Sequence, residues 1–284
     1  MAAPVNQTSS FQVDKAATAP APAPEAAAPQ SGSQVPGAGT GPATSPRPRA
    51  NHPALRRWLD RIGLALWPPR CLLCAEPGEA GRDLCRACHA ALPFAGPACV
   101  RCALPLPAPA ELCGACLRRP PPQASAHAAF VYAFPLDRLL PRAKFHGDLA
   151  GARLLAQLMA PRFAAAERPQ ALLPVPLHRS RLRRRGYDQA LELARPLARA
   201  LELPLRDDLL RRVRATAAQS RLDAAARRRN LRGAFAVRAG VPLPAHVAVF
   251  DDVMTTGATV HAAARALRRA GVARVDVWVC ARAP

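Results

Sequence analysis

The stretch CLLCAEPGEAGRDLCRACHAALPFAGPACVRCALPLPAPAELCGAC, residues 71–116, holds four CxxC pairs, each ten residues from the next. Eight of the nine cysteines lie in it. A CxxC turn can point two thiolates the same way, and two such pairs complete a tetrahedral S4 site of the kind zinc prefers. Eight ligands therefore imply two zinc ions. Sequence order groups Cys71, Cys74, Cys85 and Cys88 around one ion and Cys99, Cys102, Cys113 and Cys116 around the other, and a crossed use of alternate pairs also satisfies the spacing. Iron–sulfur ligation or a redox dithiol series are the competing chemistries, and four uniform pairs in one short segment favour structural zinc. His89 follows a pair directly, but four thiolates already fill each site. A module with so little apolar content draws most of its folding free energy from the metal. Such ribbons bind nucleic acid, bind proteins or support a neighbour.

The thiolate reading depends on a reducing compartment. The N-terminus lacks the basic start and apolar run of a secretory signal, and no later stretch approaches bilayer-spanning length, so a cytoplasmic protein without a membrane span is expected. Residues 1–50 are mostly Ala, Pro, Gly, Ser and Thr, and they are expected to form a disordered low-complexity tail. In residues 51–70, LRRWLDRIGLALW places Leu55, Trp58, Leu59, Ile62 and Leu66 on one helical face, and Pro68 and Pro69 end it. That pattern suits an amphipathic helix packed on its own domain, with a membrane-surface role as the alternative. The net charge of +21 comes almost wholly from arginine, with Lys15 and Lys144 as the lysines. It points to acidic partners, nucleic acid or phosphorylated metabolites, unless it reflects coding composition.

After the Cys-rich module (71–119), residues 120–284 alternate apolar strands with amphipathic helices, the signature of an α/β domain with a parallel sheet flanked by helices. The expected elements are a strand over 171–177, a helix over 187–201 interrupted by Pro196, a strand over 246–252, a helix over 258–271 and a strand over 274–280. The most informative stretch is VAVFDDVMTTGAT, residues 247–259. It runs from a buried strand through two acids into a Thr/Gly loop that opens a helix. Unpaired N–H groups and the positive end of the helix dipole make such a loop a phosphate cradle. Gly257 allows close approach of an anion, and the hydroxyls of Thr255, Thr256 and Thr259 can add hydrogen bonds. Asp251 and Asp252 then stand at the carboxyl end of a strand, where open α/β sheets bind ligands, and suit sugar hydroxyls or magnesium.

This stretch resembles the 5-phosphoribosyl 1-pyrophosphate (PRPP) signature of type I phosphoribosyltransferases. With the cysteine module, PVPLHRSRLRRRGYDQA (174–190) and RATAAQSRLDAAARRRNLRGAF (214–235), the chain from residue 71 to 284 resembles the ComF family of amidophosphoribosyltransferase-like proteins, ComFC- and GntX-like, with a double zinc ribbon ahead of a type I phosphoribosyltransferase fold. The resemblance implies that Asp251 and Asp252 are the catalytic pair holding the ribose 2- and 3-hydroxyls. It implies that Val253, Met254, Thr255, Thr256, Gly257, Ala258 and Thr259 bind PRPP, the Thr255–Thr259 loop taking the 5-phosphate, and that Pro174, Val175 and Pro176 shape a loop contacting pyrophosphate. Of Arg181, Arg183, Arg184 and Arg185, one or two are expected at the polyanion, Arg185 among them. Arg227, Arg228 and Arg229 fit a flap over the site or a nucleic-acid contact, and Lys144 matches a family lysine followed by an aromatic. One departure is RGYDQ where the family usually has RGFNQ, so that Asp188 puts a carboxylate where an amide is usual.

The chemistry implied is displacement of pyrophosphate from the ribose C1 by an unknown acceptor, with magnesium neutralising the leaving group. Two alternatives belong to other classes: a PRPP sensor without catalysis, and a single-stranded DNA-binding factor working beside DNA-uptake or helicase proteins. Aromatic side chains at 5% argue against a large base-stacking platform. Cys280 is expected to be a small buried residue.

Overall fold

The computed structural model describes residues 68–108, 111–145, 148–215 and 231–284. The expected tail, the apolar face from Leu55 to Leu66 and the arginines 227–229 lie outside the described residues. The cysteine-rich segment contributes two short helices, α1 (Arg86–Ala90) and α2 (Gly114–Arg118). There follow β1 (Ser125–Val131), α3 (Leu136–Phe145), α4 (Leu149–Ala164), β2 (Ala171–Pro174), α5 (Arg179–Arg185), α6 (Gln189–Ala200), β3 (Leu210–Arg212), β4 (Phe235–Val237), β5 (His246–Met254), α7 (Ala258–Arg269) and β6 (Arg274–Arg282).

Four strands form one parallel sheet in the order β1-β6-β5-β2, while β3 and β4 pair antiparallel beside it. Helices cover both faces, so the central strands read as almost unbroken apolar runs. Strand alternation sends Val247, Val249, Val275, Val277 and Val279 to the face under α7, with Val260, Ala263 and Leu267. Ala248, Phe250, Trp278 and Cys280 go to the other face, under α4 and α6, with Leu155, Met159, Phe163, Leu193 and Leu197. There the Phe163 ring stacks on Trp278 with centroids 4.8 Å apart. Cys280 is fully buried, as expected.

Each expected element has shifted limits: α6 spans Gln189–Ala200, α7 ends at Arg269 and β6 continues to Arg282. Pro196 does not interrupt α6, which runs through it from Gln189 to Ala200. An internal proline costs about 3 kcal/mol, and the buried stripe of Leu193, Ala194, Leu197 and Ala198 outweighs it. The strand expected over 171–177 stops at Pro174, because Pro176 has no N–H and the N–H of Leu177 donates to Asp188 Oδ2 at 2.7 Å instead of to a ladder. β5 runs two residues beyond 252, so the two acids lie within the strand.

The ribbons do not stand apart from the sheet. β1 is an edge strand, and an open edge is a liability unless covered. The amide of Ala95 donates to Ala129 O at 3.0 Å, that of Val131 to Pro93 O at 2.8 Å and that of Ala126 to Val100 O at 2.8 Å. The ribbons thus occupy the free side of β1. Cys71, Leu84 and Leu92 join the core under α3 and α4, and Ala103 joins the core on the opposite face.

Candidate functional site

The cysteine segment is a structural repeat of 28 residues, from Cys71 to Cys99 and from Cys85 to Cys113. In each copy a CxxC turn closes through a backbone hydrogen bond, Ala75 N–H donating to Cys71 O at 2.9 Å and Ala103 N–H to Cys99 O at 2.8 Å. The residue after the turn takes a left-handed conformation, φ 65° at Ala75 and 53° at Ala103. The second pair of each copy opens a short helix, with Cys85 and Cys113 as N-caps. These turns gather the sulfurs in sequence order, Cys71, Cys74, Cys85 and Cys88 in one group and Cys99, Cys102, Cys113 and Cys116 in the other, each set lying within 4.8 Å. The crossed alternative is thereby excluded. Two Sγ–Sγ separations, Cys74–Cys85 and Cys102–Cys113, are 3.7 Å. A disulfide needs about 2.05 Å, whereas a zinc tetrahedron with Zn–S near 2.3 Å has edges of about 3.8 Å. Burial opposes ionisation of Cys71 and Cys99, but backbone amides overcome it and bring the two thiols to about 6 and about 7. Each group thus fits a structural zinc. His89 sits edge-on to Phe94 at 5.4 Å and takes no part.

The second constellation gathers at the carboxyl ends of β2 and β5. Pro174 pairs with Phe250, and Val175 N donates to Phe250 O at 2.8 Å, so the Pro174–Pro176 segment lies alongside the acids. β2 is an edge strand of this sheet, where proline is tolerated. Asp251 and Asp252, consecutive in an extended strand, point to opposite faces. Each accepts the next amide, Asp252 N to Asp251 Oδ1 at 2.9 Å and Val253 N to Asp252 Oδ1 at 2.6 Å. Beyond Met254 the loop is only three residues long, with Thr255 and Thr256 exposed and Gly257 at φ 71°. Gly257 is the N-cap of α7, and no side chain covers its first-turn amides from that position. The imidazole of His261 lies against it, such that a Cβ at 257 would stand 2.6 Å from Nε2. Glycine is thus required both for the positive φ and for the close approach.

Asp188 has a defined structural task. Its Oδ1 accepts Ala190 N at 3.1 Å and Leu191 N at 3.4 Å, capping α6, while Oδ2 takes Leu177 N. An asparagine has one acceptor oxygen and could not serve both sides. Burial raises the pKa of Asp188, the three amides lower it, and the nearby charge of Asp252 raises it again; the net direction is upward. Arg212, at the end of β3, is 8% exposed and lies over the Phe235 ring at 5.5 Å. Burial weighs against its charge, Arg181 adds to that, and Asp251 and Asp188 offset it. Three carboxylates and two guanidiniums therefore share one end of the sheet.

Of the arginines in α5, Arg181 is the one drawn toward this cluster, and Arg183, Arg184 and Arg185 are exposed. Lys144 belongs to the last turn of α3, and the position of its side chain lies outside the described ones. Arg212 had no signal in the sequence beyond belonging to a run of arginines.

A family model for the double zinc ribbon domain matches residues 63–117. DNA utilization protein YhgH of Escherichia coli O157:H7 is 37% identical over 239 residues, covering 79% of this chain and 96% of that protein. Its counterpart in Salmonella typhimurium is 38% identical over the same span. Competence protein F of Haemophilus influenzae is 39% identical over 160 residues, 54% of this chain and 70% of that protein. With both cysteine clusters formed and the likeness running over nearly the whole length of the YhgH proteins, the chain belongs to the ComF family, that of DNA utilization protein YhgH and competence protein F.

Proposed function

We propose that the edge formed by Pro174–Pro176, Asp251, Asp252 and Thr255–Gly257 binds PRPP with magnesium, and that the protein works in the cytoplasm in the handling of incoming DNA. The observation that carries the ligand reading is the αL Gly257 cap. Gly257 offers no side chain to cap the α7 amide end, directly after two exposed threonines and five positions after the second of a pair of carboxylates. An anion at that helix end is favoured by the amides and by the dipole together. Asp251 and Asp252 offer hard oxygen donors suited to magnesium, which would supply charge neutralisation for a leaving pyrophosphate. Arg181 and Arg212 add fixed positive charge beside them.

In the transferase form of this reading, an unidentified acceptor bonds to ribose C1 as the C1–O bond breaks, and pyrophosphate leaves with the electron pair. The two carboxylates favour the positive charge that develops on the ring. Titration calorimetry with PRPP and magnesium tests the site. Asp251→Asn and Asp252→Asn each remove a charge-assisted hydrogen bond worth about 1.5–3 kcal/mol, hence roughly ten- to a hundredfold in affinity. Unchanged binding in both folded variants would rule the site out. Pyrophosphate release across a panel of acceptors then separates a transferase from a PRPP sensor.

The DNA reading takes support from the names of the relatives and from a second observation. Arg119, Arg232 and Arg269 each act electrostatically on Arg265 of α7, and all four are exposed.

A further inference from the structure

We infer that Arg282 is a positioning residue through which the second sulfur centre, Cys99, Cys102, Cys113 and Cys116, fixes the Thr255–Gly257 loop. Arg282 ends β6, where it pairs with Met254, the last residue of β5 before the loop. Its side chain is 9% exposed. Nε donates to Cys102 O at 3.1 Å, and Nη1 donates to Met254 O at 3.1 Å and also to Ala283 O. Ala283 N donates in turn to Met254 O at 3.0 Å. The Met254 carbonyl thus has two donors, one of them shared with a metal-ligand residue 152 positions away in the chain.

The chemistry of the donor set suits this arrangement. Four thiolates around a divalent zinc leave a net charge of about −2. A buried guanidinium needs a counter-charge nearby, and its planar fork can hold two carbonyls in fixed relation. The first centre has a different environment. Cys71 packs with Leu84 and Leu92 into the core under α3 and α4, on the opposite face of the sheet from α7. The two centres therefore divide their work, the first serving the core and the second the loop.

The inference rests on the reading of Thr255–Gly257 as a phosphate loop only for its functional meaning, so the test has one arm that needs no ligand. In that arm, hydrogen exchange is followed by mass spectrometry on the zinc-loaded full chain and its Arg282→Met and Arg282→Lys variants. Arg282→Met should speed exchange of the 255–257 amides about tenfold, the worth of one buried hydrogen bond. Peptides covering residues 71–88 should keep wild-type protection. Arg282→Lys keeps the charge and therefore the fold, but a single ammonium cannot span both carbonyls, so the loop should remain faster than wild type. Loop exchange equal to wild type in the Lys variant, or a uniform rise along the chain in both variants, overturns the inference.

In the second arm, cobalt replaces zinc, and PRPP with magnesium is added to the full chain. Coupling is reciprocal, so ligand at the loop should shift the thiolate–cobalt absorption in the wild type and not in Arg282→Lys. A wild type that binds PRPP by calorimetry without any shift also overturns the inference. A wild type that does not bind PRPP overturns the ligand reading alone, and the exchange arm still decides the role of Arg282.

Discussion

Asp188 shows how a single substitution against the family pattern is accommodated. Its carboxylate holds the turn after β2 and the start of α6 at once, a task for two oxygens. Burial and the charge of Asp252 raise its pKa. A group whose folded pKa lies above its unfolded value binds more protons when folded, so its contribution to stability is present at acid pH and is lost as pH rises through the folded pKa. The Asp188→Asn variant lacks that titration. Urea unfolding over a pH series should therefore show wild-type stability declining, relative to the variant, from about pH 4 upward, with magnesium reducing the decline by favouring the ionised form. A difference between the two proteins that does not change with pH would mean that Asp188 is not strained by its surroundings. RGYDQ showed the departure but not its use, since the partner amide at Leu177 is eleven residues away and only folding brings it close.

The elements were legible where periodicity and local chemistry act together. β5, α7 and β6 carry the pattern of a buried strand, a helix opened by a Thr/Gly loop and a second buried strand, and the CxxC turns declare their own geometry. Less legible were features that depend on which neighbours an element meets. β3 and β4 are three residues each, too short for alternation to register, yet β3 supplies Arg212. The edge-covering role of the ribbons could not be read from residues 71–116, because it depends on β1 being an outer strand. That role carries a prediction. Metal analysis should give two zinc per chain, four thiolates for each. A structural zinc contributes about 10–16 kcal/mol in small domains, comparable with the whole stability of an ordinary domain, about 5–15 kcal/mol. Chelation should therefore lower the thermal midpoint of the entire described domain in one transition, since Cys71, Leu84 and Leu92 are part of its core. A calorimetric trace in which the sheet melts unchanged after complete zinc loss would show the ribbons to be an appendage.

At the scale of the whole molecule, the net charge of +21 has two readings in the sequence, a polyanion partner or a coding bias. One local group bears on that choice: Arg119 of the second ribbon, Arg232 ahead of β4 and Arg269 of α7 all act electrostatically on Arg265 of α7. Burial already weighs against the charge of Arg265, and its three arginine neighbours add to that. Such crowding is relieved when a polyanion arrives and releases its condensed cations. Single-stranded DNA binding by the full chain should consequently weaken linearly in log affinity against log salt, with a slope of about −0.7 per phosphate engaged. Arg265→Gln with Arg269→Gln should reduce the magnitude of that slope by about 1.4, the share of two contacts. PRPP binding should not change, because neither residue belongs to the loop or the acids. Equal slopes for the double variant and the wild type would place any DNA contact elsewhere. No affinity at low salt would leave the arginine cluster without a nucleic-acid role.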